Sequence, residues 1–153
     1  MVFGVIFTLI LISALVIFAS IILNDMYQAQ IYAQIEEAKD DLGTVVSYFF
    51  YNTGTGSTDD YTLSIPSGSK FCFVNVTDPS PQISKGWNPS DIVPGYITEN
   101  EWNLWIYYPD GDQDGASISH LTVSDDFGNF CAENGAKLQL LNAGTIVEVS
   151  IKE

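Results

Sequence analysis

Residues 1 to 23, MVFGVIFTLILISALVIFASIIL, carry no charge, and only Gly4, Thr8, Ser13 and Ser20 interrupt their apolar side chains. At about 1.5 Å of rise per residue, a helix of this length runs roughly 35 Å and covers the hydrocarbon core of a bilayer. A secretory signal needs a basic leading region, a shorter apolar stretch and a small-residue cleavage site. No lysine precedes Lys39, and the apolar run exceeds a signal's length. The segment therefore reads as part of the working protein. An ordinary anchor usually carries flanking lysine or arginine on its cytoplasmic side; its absence fits a chain whose short basic leader has been cut away.

The next segment extends the constraint. In NDMYQAQIYAQIEEAKDDLGTVVSYFFY, residues 24 to 51, the apolar side chains Tyr27, Ile31, Ile35, Ala38, Leu42, Val45 or Val46, and Phe49 recur every three or four positions. That spacing is an amphipathic helical stripe. Asn24-Asp25 could cap a second helix, but the absence of Pro or Gly at the junction favours one helix from about residue 2 to 51. Gly43 weakens it locally, and Asn52-Thr-Gly-Thr-Gly-Ser57 ends it. A small domain can cover the amphipathic half. The all-round apolar half must be buried in lipid or against copies of itself.

Charge divides the chain in the same place. The protein has 5 basic against 19 acidic residues, a formal net charge of -14, and the basic residues are all lysine. So acidic a surface repels nucleic acid and anionic headgroups and suits a cation-rich exterior. From Tyr61 onward, short β-like runs alternate with turn residues: Tyr61–Ile65, Lys70–Val76, Trp102–Tyr108, Ile118–Ser124, Lys137–Asn142 and Thr145–Lys152. The last two flank Asn142-Ala-Gly144 and read as a closing hairpin. The tract Asp78–Tyr96, with four prolines, reads as a long surface loop. The expected fold class is α+β: an N-terminal helix over 1–52, apolar to residue 23, then a β-domain over 59–153 folded as an antiparallel, immunoglobulin-like sandwich.

Within the β-domain, Cys72 and Cys131 are the only cysteines. Outside the cytoplasm they would pair, closing a loop of about 60 residues worth roughly 4 kcal/mol in the chain-entropy model. Asp110-Gly-Asp-Gln-Asp-Gly115 places carboxylates at positions 1, 3 and 5 and then glycine, the first half of an EF-hand-type calcium loop. Asp110, Asp112 and Asp114 are thus candidate calcium ligands. Position 12 is Leu121, so Asp125 or Asp126 would have to supply the bidentate group; the alternative is a solvated acidic hairpin turn. Asn75-Val-Thr77 is an N-glycosylation acceptor pattern. Trp87, Trp102, Trp105, Tyr107 and Tyr108 could serve a saccharide site or a core. With one histidine, His120, no Gly-x-Ser-x-Gly context and no phosphate-binding or dinucleotide fingerprint, the chain does not read as an enzyme.

The layout resembles type IV pilin-like filament subunits: bacterial type IV pilins, archaeal adhesion pilins and archaellins. Bacterial members begin with a Phe-Thr-Leu-Ile-Glu signature after a glycine. Here Phe7-Thr8-Leu9-Ile10 follows Ile6, and Leu11 stands where the glutamate would be. That departure looks more like the archaeal branch. The resemblance implies that a basic leader is removed and the helix waits in the membrane. It then packs into a filament core, with Gly4, Phe7, Leu11, Ala14, Phe18 and Ile22 in the core and the β-domain outside. Gly4, Ala14, Ala19 and Ser20 would mark close helix approaches. The partners so implied are further copies of the chain, and the membrane before assembly. The localisation is a cell-surface filament, and adhesion is its expected use. The alternative reading is a monomeric, single-pass, extracytoplasmic β-sandwich that binds calcium or glycan.

Overall fold

The computed structural model describes residues 2–77, 99–124 and 128–152, without the side chains of residues 2 and 3. One helix, α1, runs Val2–Asn52 without a break at Asn24-Asp25. Eight strands come after it: β1 Thr58–Thr62, β2 Lys70–Phe73, β3 Leu104–Tyr107, β4 Gln113–Ala116, β5 Leu121–Val123, β6 Phe130–Ala132, β7 Lys137–Asn142 and β8 Val147–Ile151. They form two four-stranded sheets, ordered β1-β7-β8-β5 and β4-β3-β2-β6. The expected α+β class is therefore present, as a long apolar helix followed by a two-sheet β-region.

The chain divides into two compact units, Met1–Gln34 and Ile35–Glu153. The second takes in the end of α1, and its stripe does what the spacing predicts. Ile35, Leu42 and Val46 are fully buried and Ala38 and Phe49 nearly so, which settles the choice between Val45 and Val46. Tyr27, counted in the same stripe, is 62% exposed.

Alternation along the strands builds the rest of the core. Leu138 and Leu140 on β7 and Val147 and Val149 on β8 are buried, while the residues between them are only partly so. β7 and β8 pair antiparallel from Leu138↔Ile151 to Asn142↔Val147, the expected closing hairpin. Sheet β4-β3-β2-β6 is covered on both faces. Phe71, Phe73, Leu104, Ile106 and Phe130 are buried on one, with the Phe73 and Phe130 rings 5.0 Å apart. Cys72, Val74 and Trp105 cluster on the other, with Trp102, Tyr107 and Cys131 packed against them.

The strands depart from expectation in four places. β1 is Thr58–Thr62 rather than 61–65, because its ladder to β7 ends at Thr62↔Lys137. Leu63 is still buried and stays bonded outside the ladder, donating to Ala136 O (2.9 Å) and accepting from Gly135 N (2.8 Å). β4 and β6 are additional strands. The first is written in Asp and Gly, which disfavour strands; the second is only Phe130–Ala132, too short to show a period. Finally, β5 runs parallel to β8, from Leu121↔Val147 to Val123↔Val149, so the sheets are not antiparallel throughout. The expected Asp78–Tyr96 loop lies outside the described residues.

The helix end is fastened from several sides. Thr53 donates its N–H (3.2 Å) and hydroxyl (2.7 Å) to Phe49 O, and Asn52 Nδ2 donates to Tyr48 O (2.8 Å). Helix C-termini leave carbonyls without intrahelical donors. The side chain of Asn142, 2% exposed at the end of β7, supplies one: its Nδ2 lies 3.4, 3.3 and 3.1 Å from the carbonyl oxygens of Phe49, Phe50 and Thr53.

Candidate functional site

The surface with the strongest physical demand is the apolar half of α1. Gly4, Phe7, Leu11, Ala14, Phe18 and Ile22 follow each other by three or four residues, which at 3.6 residues per turn sets them along one face. Phe7 (63%), Leu11 (48%), Phe18 (64%) and Ile22 (43%) are all exposed. Exposure is not confined to that face: Val5, Ile6, Leu9, Ile10, Leu15, Val16 and Ile17 on the remaining sides are exposed too. α1 is long and apolar enough to cross a membrane, and its most apolar 18-residue window contains nothing buried within the chain.

The polar side chains in this segment satisfy themselves. Thr8 donates to Gly4 O, Ser13 to Leu9 O and Ser20 to Val16 O, each at 2.8 Å. An unpaired hydroxyl in an apolar medium costs free energy; bonded back to the preceding turn, these hydroxyls let the helix enter lipid or a dry helix interface.

In the β-region, Cys72 and Cys131 form a disulfide. They face each other directly across β2 and β6 in the pair Cys72↔Cys131, so the bridge links neighbouring strands as well as residues 59 apart in sequence. Disulfides persist in oxidising compartments.

Asn75 lies just after β2. Its Oδ1 accepts from Thr77 N (3.0 Å) and Thr77 Oγ1 (2.7 Å), while its own N–H donates to Asn129 Oδ1 (2.7 Å). The acceptor amide and the hydroxyl of the pattern are therefore in contact, with Thr77 exposed.

The acidic run becomes a hairpin. Tyr108–Asp112 forms the loop between β3 and β4, closed by Tyr108 N to Asp112 O (2.9 Å) and Gly111 N to Tyr108 O (3.1 Å), with Gly111 at φ 96°. Asp110 Oδ1 accepts from Asp112 N (3.1 Å), and Asp114 Oδ1 from Gly115 N (2.8 Å). Asp114 itself lies in β4 opposite Ile106. Among the described residues no group of three or more His, Cys, Asp or Glu side chains is placed to hold a metal ion; Asp125 and Asp126 lie outside them. Burial pushes the neighbouring Tyr108 phenol up, with the carboxylates of Asp114, Glu36, Asp110 and Asp112 adding to the shift.

The aromatics divide. Trp105 and Tyr108 are core residues, and Trp105 Nε1 donates to Gln113 Oε1 (3.1 Å). Trp102 and Tyr107 are partly buried, and Trp87 lies outside the described residues. His120 is not within β5 but immediately before it, at φ 63°, with its ring stacked on Phe50 at 4.0 Å and its Nε2 3.2 Å from Tyr51 Oη. Asn142-Ala-Gly144 follows β7 into the β7–β8 turn, as expected, but Asn142 has a second role that the expectation did not include, as the cap of α1. The only signal was an asparagine where the strand pattern calls for an apolar residue.

No protein-family model, curated protein or solved structure matches this chain.

Proposed function

We propose that the chain is a structural subunit of an extracellular filament of the type IV pilin-like kind, of the archaeal branch. Its N-terminal helices form the filament core and its β-regions the outer surface. The observation that carries this reading is the apolar helix itself: a single helix whose first half is exposed on every side, with each hydroxyl turned back on its own backbone. Such a surface is stable in lipid before assembly and against identical helices after it. Exchanging lipid for neighbouring helices brings little hydrophobic gain, so packing decides assembly. Small residues at Gly4, Ala14, Ala19 and Ser20 permit close approach. The disulfide and the acidic surface suit the outside of the cell, and Asn75 is the position for an N-linked sugar there. The two sheets are read as a sandwich head, its immunoglobulin likeness resting on the two-sheet layout alone. Adhesion rather than catalysis is the role this supports.

The test is negative-stain microscopy of sheared cell-surface material, with mass spectrometry of the filament fraction. Filaments containing this chain, with α1 protected from protease, are expected. Recovery of the chain only as a membrane-bound monomer overturns the filament reading in favour of a single-pass displayed domain. Peptide mapping of the same material reports whether Asn75 carries a sugar.

A further inference from the structure

We infer that the β-containing unit carries a binding groove for a neutral oligosaccharide, between the exposed face of α1 after Lys39 and the strand β4 region. The groove is a shallow concavity of about 970 Å³, widely open to solvent. All of its walls belong to the compact unit Ile35–Glu153, so the inference does not depend on filament assembly.

Aromatic rings frame it. Tyr48 and Tyr51, one helical turn apart, are 67% and 71% exposed, a large apolar area for a helix to leave in water. The Tyr51 ring is held, edge-on to Phe50 at 5.0 Å and bonded through its hydroxyl to His120. Opposite, Trp102 is seated by a glycine. A Cβ on Gly115 would fall 2.0 Å from Trp102 Cε3, so the indole lies directly on the β4 backbone where no other residue fits. The Trp105 ring, 5.6 Å away and tilted by 56°, supports it from the side. Fixed aromatic faces are the surfaces on which the C–H side of a pyranose ring stacks.

Between the rings the lining is short and hydroxylated: Thr44 and Ser47 on the helix, Ser117 and Ser119 across from them. These groups both donate and accept, as sugar hydroxyls do. Gly43, also in the lining, has nothing within 4 Å of where its Cβ would be, so that stretch of α1 leaves open space beside the groove at some cost to the helix. The ligand's charge is set by the surroundings. Lys39 is paired with Glu36 and sits beside Asp40, and the chain's net charge is -14, so an anionic ligand is repelled. An apolar helix from a second copy would strand the hydroxyls without partners. A proline-rich peptide could use the rings, but would leave most of the hydroxyl groups unused.

The test is a titration of the full-length chain in detergent micelles with neutral hexasaccharides of glucose, mannose and N-acetylglucosamine, followed by tryptophan fluorescence and by amide shifts. Saturable binding at millimolar concentration or tighter is expected for at least one of them. Tyr48→Ala should weaken it about tenfold. Gly43→Gln should weaken it at least as much by putting a side chain into the open space of the lining, while the better helix former keeps the fold intact. No saturable binding to any of these sugars overturns the inference. So does binding that survives both substitutions in a folded chain, and so does saturable binding of a proline-rich peptide alone.

Discussion

The side-chain amide of Asn142 lies 3.1 Å from both the carbonyl and the hydroxyl oxygen of Thr53, tying the last strand-to-turn junction of one sheet to the end of the helix. The same nitrogen faces the carbonyls of Phe49 and Phe50, and Asn142 Oδ1 accepts from Gly144 N (2.8 Å). One buried side chain thus caps α1 and shapes the β7–β8 turn. Asn142→Ala removes this side-chain donor from the Phe50 and Thr53 carbonyls, while Phe49 O keeps its bonds from Thr53, and should destabilise the β-containing unit by about 2 kcal/mol. Asn142→Asp should cost more, because it sets an acceptor against acceptors. Thermal unfolding followed by circular dichroism measures both.

Gly115 is required by its neighbour rather than by its backbone. An added Cβ would meet Trp102 ring carbons at 2.0, 2.2 and 2.7 Å. Gly115→Ala should therefore displace the indole and cost about 1–3 kcal/mol, as overpacking does. Near-UV circular dichroism should lose tryptophan signal while the far-UV spectrum is kept. An unchanged near-UV spectrum would show that the indole does not rest against Gly115.

These two contacts mark where sequence reasoning stops. Helix α1 was legible because a three-to-four residue stripe from Ile35 to Phe49 and an uninterrupted apolar run repeat one period many times. The closing hairpin was legible because Leu138, Leu140, Val147 and Val149 alternate around a turn. The disulfide was legible from the count of cysteines and the expected compartment. β4 was hidden because its residues, Gln113–Ala116, are poor strand formers, held in place by pairing with Leu104–Tyr107. The parallel direction of β5 was hidden because alternation is the same for either direction of pairing. The groove was hidden because its walls come from residues some 60 apart, and no local pattern records that Trp102 rests on Gly115.

The Cys72–Cys131 bridge closes a 59-residue separation. In the chain-entropy model, removing it with Cys72→Ala/Cys131→Ala should lower stability by roughly 4 kcal/mol. Because the cysteines pair within a sheet rather than across a loop, the secondary structure should survive at low temperature. A lower denaturation midpoint with an unchanged far-UV spectrum is the expected outcome. Reduction of the wild-type chain should reproduce it.

Tyr61 donates its hydroxyl to Asp41 Oδ2 at 2.9 Å, joining β1 to the helix. Burial, the hydrogen bond to Asp41 and that carboxylate's charge all push the Tyr61 phenol well above its ordinary value. A raised folded-state value means that the unfolded chain ionises first, near pH ~10. The associated stability is fully present below that pH and is lost as the pH climbs toward the folded-state value. Tyr61→Phe should thus flatten the alkaline decline of the unfolding midpoint between about pH 9 and 12, at a neutral-pH cost of no more than about 1 kcal/mol. A decline unchanged in the variant would assign the alkaline sensitivity to other groups.

The apolar helix makes the sharpest functional prediction. Leu15 is 67% exposed near the middle of the charge-free segment, where a carboxylate would have neither water nor a partner. Leu15→Asp should cost about 3 kcal/mol on insertion into a bilayer, and a like charge repeated on every subunit would penalise a helix core still further. Tyr27→Asp, at a position 62% exposed but beyond the apolar run, is the matched control. The expected pattern is loss of filaments with Leu15→Asp and their retention with Tyr27→Asp, while thermal unfolding of the β-containing unit is unchanged in both. Filaments that form normally with Leu15→Asp would mean that this face meets neither lipid nor a neighbouring helix, and would remove the basis of the filament reading.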